Sequence, residues 1–149
     1  MQKTYSQAKN TADAVILLYE DKEFKTFKGI VLIKRKNPPF KSFWALPGGF
    51  LNAGKESLEQ CCTREAKEET ELDIKIISLI GIYSDPKRDP ARGHIITAAY
   101  LTEAHGIPEA KDDTEDIKCF RLEDIPWKEL AFDHENILKD AKDSISKNS

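Results

Sequence analysis

The segment GGFLNAGKESLEQCCTREAKEETEL, residues 48–72, restricts this chain more than any other part of it. At about 100° per residue, Leu58, Cys61, Cys62 and Leu72 share one side of a helix, while Gln60, Thr63 and Lys67 point away. Glu65 and Glu69 project from the apolar side. A carboxylate there loses hydration, which costs several kcal/mol unless something compensates. Three arrangements answer this: the face is solvated, the carboxylates pair with Arg or Lys, or they hold a divalent cation.

Local spacing favours the cation. Glu65 and Glu69 lie one turn apart, so their oxygens can converge. Glu68 flanks the same point, and Arg64, four residues before it, can orient it. Hard oxygen ligands with few neighbouring cations suit Mg²⁺ or Mn²⁺. Just before the helix, PGGFLNAG (47–54) offers bare glycine backbone at Gly48 and Gly49, which lets a phosphate or metal approach closely.

These residues resemble the Nudix box of the Nudix hydrolases. The family pattern is Gly, five residues, Glu, seven residues, then Arg-Glu-aliphatic-x-Glu-Glu-x-Gly-aliphatic. Gly49, Glu56, Arg64, Glu65, Ala66, Glu68, Glu69 and Leu72 stand at motif positions. There are two departures. Lys55 is an added residue before Glu56, and Glu71 stands where the family has glycine. That glycine ends the helix, and a side chain in a left-handed conformation there costs about 1 kcal/mol.

The resemblance continues outside the box. IKRKNPPFKSFWALPGGF, YSDPKRDPARGH (83–94, with Ala91 added) and LAFDHENILKDA (130–141) are similar to segments of the ADP-ribose pyrophosphatases of this family. The resemblance implies an α+β Nudix fold, a mixed β-sheet core sandwiched between helices. It further implies Mg²⁺-dependent hydrolysis of ADP-ribose to AMP and ribose 5-phosphate, with Mn²⁺ as a substitute. Carried over by position, Glu65, Glu69 and Glu68 are metal ligands, with Glu68 also a candidate base. Glu56 binds a further ion, and Arg64 orients the glutamates. An extra carboxylate from a loop outside the box is expected in KDDTEDIKCF (111–120), where Asp116 matches best and Glu115 next. Homodimers are common in this subgroup, so the resemblance admits a homodimer, which the sequence itself does not demonstrate.

Other candidates carry a bland alternative. Arg88, Arg92 and His94 are placed to meet phosphate or terminal ribose, or are ordinary surface residues. Trp44 and Phe50 line an adenine pocket or pack in the core. Arg35 pairs with pyrophosphate or is a sheet-edge charge. His105 and His134 carry no readable signal. Two other functions remain open: a nucleoside triphosphate pyrophosphohydrolase on the same fold, and a non-catalytic nucleotide-binding sensor. Regulators on this fold usually add a DNA-binding domain, and none is expected after the closing helix that ends near Ser149.

Bulk properties agree with a small-molecule partner. The 149 residues carry a net charge of −3, which provides no basic field for nucleic acid. No segment reaches the roughly 18 apolar residues of a membrane span. MQKTYSQAKN lacks the apolar core of a signal peptide. The three cysteines, two of them adjacent, have no zinc spacing and read as small buried residues. A cytoplasmic location is expected.

Strands are expected at 12–19, 28–35, 94–103 and 117–125. A short strand at 43–51 ends in a Gly-Gly turn, and 73–84 reads as a buried strand. DHENILKDAKDSI (133–145) is an amphipathic closing helix with Ile137, Leu138, Ala141 and Ile145 on one face. The order suggests one domain over 1–149, with about residues 1–10 flexible.

Overall fold

A computed structural model describes residues 4–111 and 114–147. Seven strands form one mixed sheet: β1 (Lys9–Tyr19), β2 (Phe27–Arg35), β3 (Trp44–Ala45), β4 (Gly48–Phe50), β5 (Lys75–Tyr83), β6 (Ile95–His105) and β7 (Thr114–Phe120). Two helices cover it, α1 (Leu58–Thr70) and α2 (His134–Lys147). Of the tail expected to be flexible, residues 1–3 lie outside the described residues, and Lys9 and Asn10 are already in β1.

The centre is β1, buried from Thr11 to Leu18. It runs parallel to β6 along its whole length, Lys9 against Ile95 through Tyr19 against His105. Its alternating side chains feed two layers. Val15 and Leu17 pack with Ile137, Leu138 and Ala141 of α2. Ala12, Ala14, Ile16 and Leu18 pack with Cys61, Cys62 and Ala66 of α1.

The other edge of β1 creates the site. It pairs with β2 only around Leu17–Tyr19, and the two strands then diverge. Residues 44–50 enter the gap, β3 on β2 and β4 on β1. The expected Gly-Gly turn is therefore a strand: Gly48 opposes Asp13 and Gly49 opposes Ala12. Glycine is required here by crowding. A Cβ at Gly48 would sit 2.2 Å from Asp13 Oδ1, and one at Gly49 would sit 2.5 Å from the Glu65 carboxylate.

Helix α1 starts with a capping box, in which Gln60 N–H donates to Ser57 Oγ and Ser57 N–H donates to Gln60 Oε1. It ends at Glu71, whose φ of 66° is the left-handed cap expected where the family has glycine. The added Lys55 is absorbed in a tight turn, its N–H donating to Asn52 O.

One strand differs from expectation. β5 has a single neighbour, β6, and is the sheet edge, interrupted by register shifts. Leu79 and Ile82 are 51% and 54% exposed, so the apolar run is not buried on both faces. Among the described residues, no helix is long and apolar enough to cross a membrane.

Candidate active site

The gap between β1 and β2 opens into a cleft of about 600 Å³, within the range of small-molecule sites. One wall is α1. Glu69 Oε1 accepts the Gly48 N–H at 3.1 Å. Burial drives its carboxyl well above the ordinary range, and the charges of Glu65 and Asp13 push the same way. Burial also raises Glu65, against the pull of Arg64. Arg64 compensates Glu65 directly, whereas no cation is bonded to Glu69 among the described residues.

Arg64 is the fastener of this wall. Its Nη1 donates to Glu65 at 2.7 Å and to Glu68 at 3.2 Å, and its Nε and Nη2 grip both oxygens of Glu56. This hydrogen bonding drops the Glu56 carboxyl to about 2. Arg64 thus bonds three glutamates of the motif, Glu56, Glu65 and Glu68. Glu56 holds Arg64 through both carboxylate oxygens. Glu68 lies at the rim, more exposed than Glu65.

Opposite stands a cationic wall. The Arg35 guanidinium lies 4.9 Å from the Phe132 ring, with Nε donating to Pro39 O at 2.7 Å. Arg92 lies 5.0 Å from the same ring and 5.2 Å from Phe50, and its Nε donates to Asp89 Oδ2 at 2.7 Å. Burial, followed by the charge of Arg92, lowers the Arg35 guanidinium. Two like charges are therefore held side by side.

The floor is a buried polar group. Thr97 Oγ1 donates to Asp13 Oδ2 at 2.7 Å. His134 Nδ1 accepts the Leu46 N–H at 3.0 Å, which leaves the proton on Nε2, 3.8 Å from Asp13 Oδ2. Burial lowers the His134 imidazole below its usual value, so the ring is neutral at pH 7.

The remaining candidates divide. Gly48, Gly49, Phe50 and Arg88 line the cleft, but both donors of Arg88 that reach Asp133, at 2.7 and 2.9 Å, are committed to it. Trp44 is a correction. Alternation in β3 turns Ala45 into the cleft and Trp44 onto Phe120, with ring centroids 4.9 Å apart. Asp116 is another, since its carboxylate accepts the Ile117 N–H on exposed β7 and does not line the cleft. Glu115 accepts from Ser42 Oγ. Asp112 and Asp113 of the same acidic segment lie outside the described residues. His94 bonds Ser84 O across the base of its loop.

Asp13, Phe132 and His134 were missed. Only Asp13 left a trace, as a charge inside the apolar run ADAVILLY.

Residues 9–141 match the NUDIX domain. The chain belongs to the Nudix family. It is 50% identical over 112 residues to an ADP-ribose pyrophosphatase of Methanocaldococcus jannaschii, covering 74% of this chain and 64% of that protein. It is 35% identical over 115 residues to an ADPR responsive transcriptional repressor of Acinetobacter baylyi, covering 75% of this chain and 46% of that one. The chain thus spans less than two thirds of these relatives' lengths. Its fold superposes with a TM-score of 0.78 and 30% identity on the NUDIX domain of Shewanella oneidensis NrtR, solved in complex with ADP ribose, covering 95% of this chain and 90% of that one.

The Nudix wall fits a hard divalent cation. Glu65 and Glu69 are half-buried oxygen donors, Glu69 with no cation bonded to it among the described residues, and the space beside Glu65 exists only because Gly49 has no Cβ. Among the described residues, no three carboxylate, imidazole or thiol groups stand together as a complete cage. Mg²⁺ is commonly held by one or two carboxylates, with water and substrate phosphate filling its remaining positions.

Proposed function

We propose that this protein hydrolyses the pyrophosphate bond of ADP-ribose, or of a related nucleoside diphosphate derivative, to AMP and ribose 5-phosphate. The supporting observation is the pairing of opposite charges in one cleft: half-buried Glu65 and Glu69 line it together with Arg35 and Arg92. Among the described residues, no cation is bonded to Glu69 and no carboxylate to Arg35. A diphosphate with Mg²⁺, or Mn²⁺ in its place, answers both. The names of the M. jannaschii relative and of the ADP-ribose complex support the choice of nucleotide.

Glu65 and Glu69, with Glu68 at the rim, would hold the ion, which when bound neutralises charge developing on the diphosphate. Arg35 and Arg92 orient the phosphoryl oxygens. Gly48 and Gly49 let the substrate approach the backbone. Arg64 locks Glu65 and Glu68 in register, acting through them. Glu68 is the carboxylate we assign to take a proton from the attacking water. The unpaired cysteines Cys61, Cys62 and Cys119 suit the reducing cytoplasm.

Incubation with ADP-ribose and Mg²⁺, read by chromatography, is expected to yield AMP and ribose 5-phosphate. An intact substrate would refute the activity. A second reading, a nucleotide sensor, is favoured by the A. baylyi relative. Tight ADP-ribose binding without turnover, with Mn²⁺ as well as Mg²⁺, would select it. Pyrophosphate release from a triphosphate panel would instead select a triphosphate pyrophosphohydrolase.

A further inference from the structure

Asp89 lies in the loop between β5 and β6 and is 1% exposed. Among the described residues, its Oδ1 is the one buried side-chain oxygen or nitrogen without a hydrogen-bond partner. Such a group is costly, because a buried carboxylate forfeits hydration on every side that finds no donor. Three guanidiniums, Arg35, Arg88 and Arg92, lie near enough to feel its charge or bond to it. Only Arg92 gives it a hydrogen bond, through Nε.

The geometry around Arg92 gives the half-paired carboxylate a purpose. The Arg92 guanidinium is flanked by Phe50 at 5.2 Å and Phe132 at 5.0 Å, and Arg35 lies 4.9 Å from Phe132. Two guanidiniums this close repel each other in a partly buried cleft and need a counter-charge to stay there. A carboxylate bonded face to face with a guanidinium takes two parallel donors, and those donors are then lost to phosphate. The described bonds of Arg35 and Arg92 both run through Nε, the inner nitrogen of the fork.

We propose that Asp89 is a positioning residue for diphosphate binding, supplying the counter-charge that keeps Arg92 and Arg35 in the cleft while occupying only one of their N–H donors. The terminal nitrogens then stay available for phosphoryl oxygens. Asp89 touches no substrate and does not line the cleft; it acts through Arg92. This rests on the diphosphate reading of the site. The plain alternative is that Asp89 only fastens its loop, where its carbonyl already accepts the Arg92 N–H at 3.2 Å.

The test compares wild type, Asp89→Asn, Arg92→Ala and the double variant. Calorimetry gives the Kd for inorganic pyrophosphate with Mg²⁺, and steady-state kinetics give KM and kcat for ADP-ribose. Asp89→Asn is expected to weaken pyrophosphate binding and raise KM about tenfold, with kcat within about threefold. The double variant is expected to be no weaker than Arg92→Ala alone, since Asp89 has nothing left to position. Arg92→Lys, which keeps the charge but loses the fixed Nε contact, is expected to match Asp89→Asn and covers the case in which that variant does not fold. Wild-type affinity in Asp89→Asn or in Arg92→Lys overturns the inference. So does full additivity in the double variant. Pyrophosphate binding needs no turnover: a protein that binds it through Asp89 and Arg92 but leaves ADP-ribose intact loses the proposed substrate and keeps this inference. Failure of wild type to bind either ligand overturns both.

Discussion

Burial raises the Glu69 carboxyl well above its ordinary range, so without metal the fold disfavours its charged form. With a raised folded value, the contribution of this group to stability is fully present below the unfolded value near 4.5. It is lost as pH rises through the folded value. Mg²⁺ reverses that loss. At about a hundredfold excess over its Kd it should stabilise the fold by roughly 2.7 kcal/mol, read as a rise in Tm that is larger at pH 8 than at pH 5. Glu69→Gln should stay folded, lose the Mg²⁺-dependent rise, and lose at least about 100-fold in kcat. Gly49→Ala tests the same wall from outside. Its Cβ would displace the Glu65 carboxylate, and a shift of about 1 Å at a reacting centre costs on the order of 10²-fold in rate. A Gly49→Ala protein with normal turnover would refute the cradle. His134 titrates in the opposite sense. Its folded value is depressed, so its contribution is intact above about pH 6.5 and is lost as pH falls through the folded value. The His134 contribution to Tm should therefore be lost as pH falls below about 6.5. A decline of the same size in His134→Asn would assign it elsewhere.

At the scale of elements, α1 was almost fully legible. Its buried face and its left-handed end at Glu71 follow from local chemistry, which a sequence displays. That end carries a prediction. Glu71→Gly removes the strain of a positive φ, worth about 1 kcal/mol, and sacrifices only an exposed pair with Lys111, worth a few tenths. The urea midpoint should rise while ADP-ribose turnover stays within about twofold; a fall in the midpoint would show that the Lys111 pair outweighs the strain. β5 was misread for a physical reason. Ile76, Ile77, Leu79, Ile80 and Ile82 resemble a strand covered on both faces, and edge position is decided by partners far along the chain. β3 was half read. Its aromatic character was visible, but which neighbour faced the cleft depended on register with β2, and this turned Trp44 away and brought Ala45 in.

Across the whole molecule, the acidic wall could be foreseen and the cationic wall only partly. Glu65, Glu68 and Glu69 are neighbours on one helix. Arg35, Arg92 and Phe132 come from three distant segments that meet only in the folded chain. Asp13 and His134 are likewise 121 positions apart and 3.8 Å apart in space. The cleft is thus a product of global topology: β4 rests on β1, and β1 rests on β6. Activity and far-UV circular dichroism should therefore be lost at the same urea concentration. Loss of turnover at clearly lower urea would mean that the cleft opens as a separate unit.

The parallel match of β1 to β6 also bears on how the chain is made. Lys9 finds its partner in Ile95, 86 positions later. At roughly 5–20 residues per second, a ribosome needs about 4–17 s to deliver that partner. For that interval a strand destined to be buried from Thr11 to Leu18 waits without its longest neighbour, and a holding chaperone would shield it.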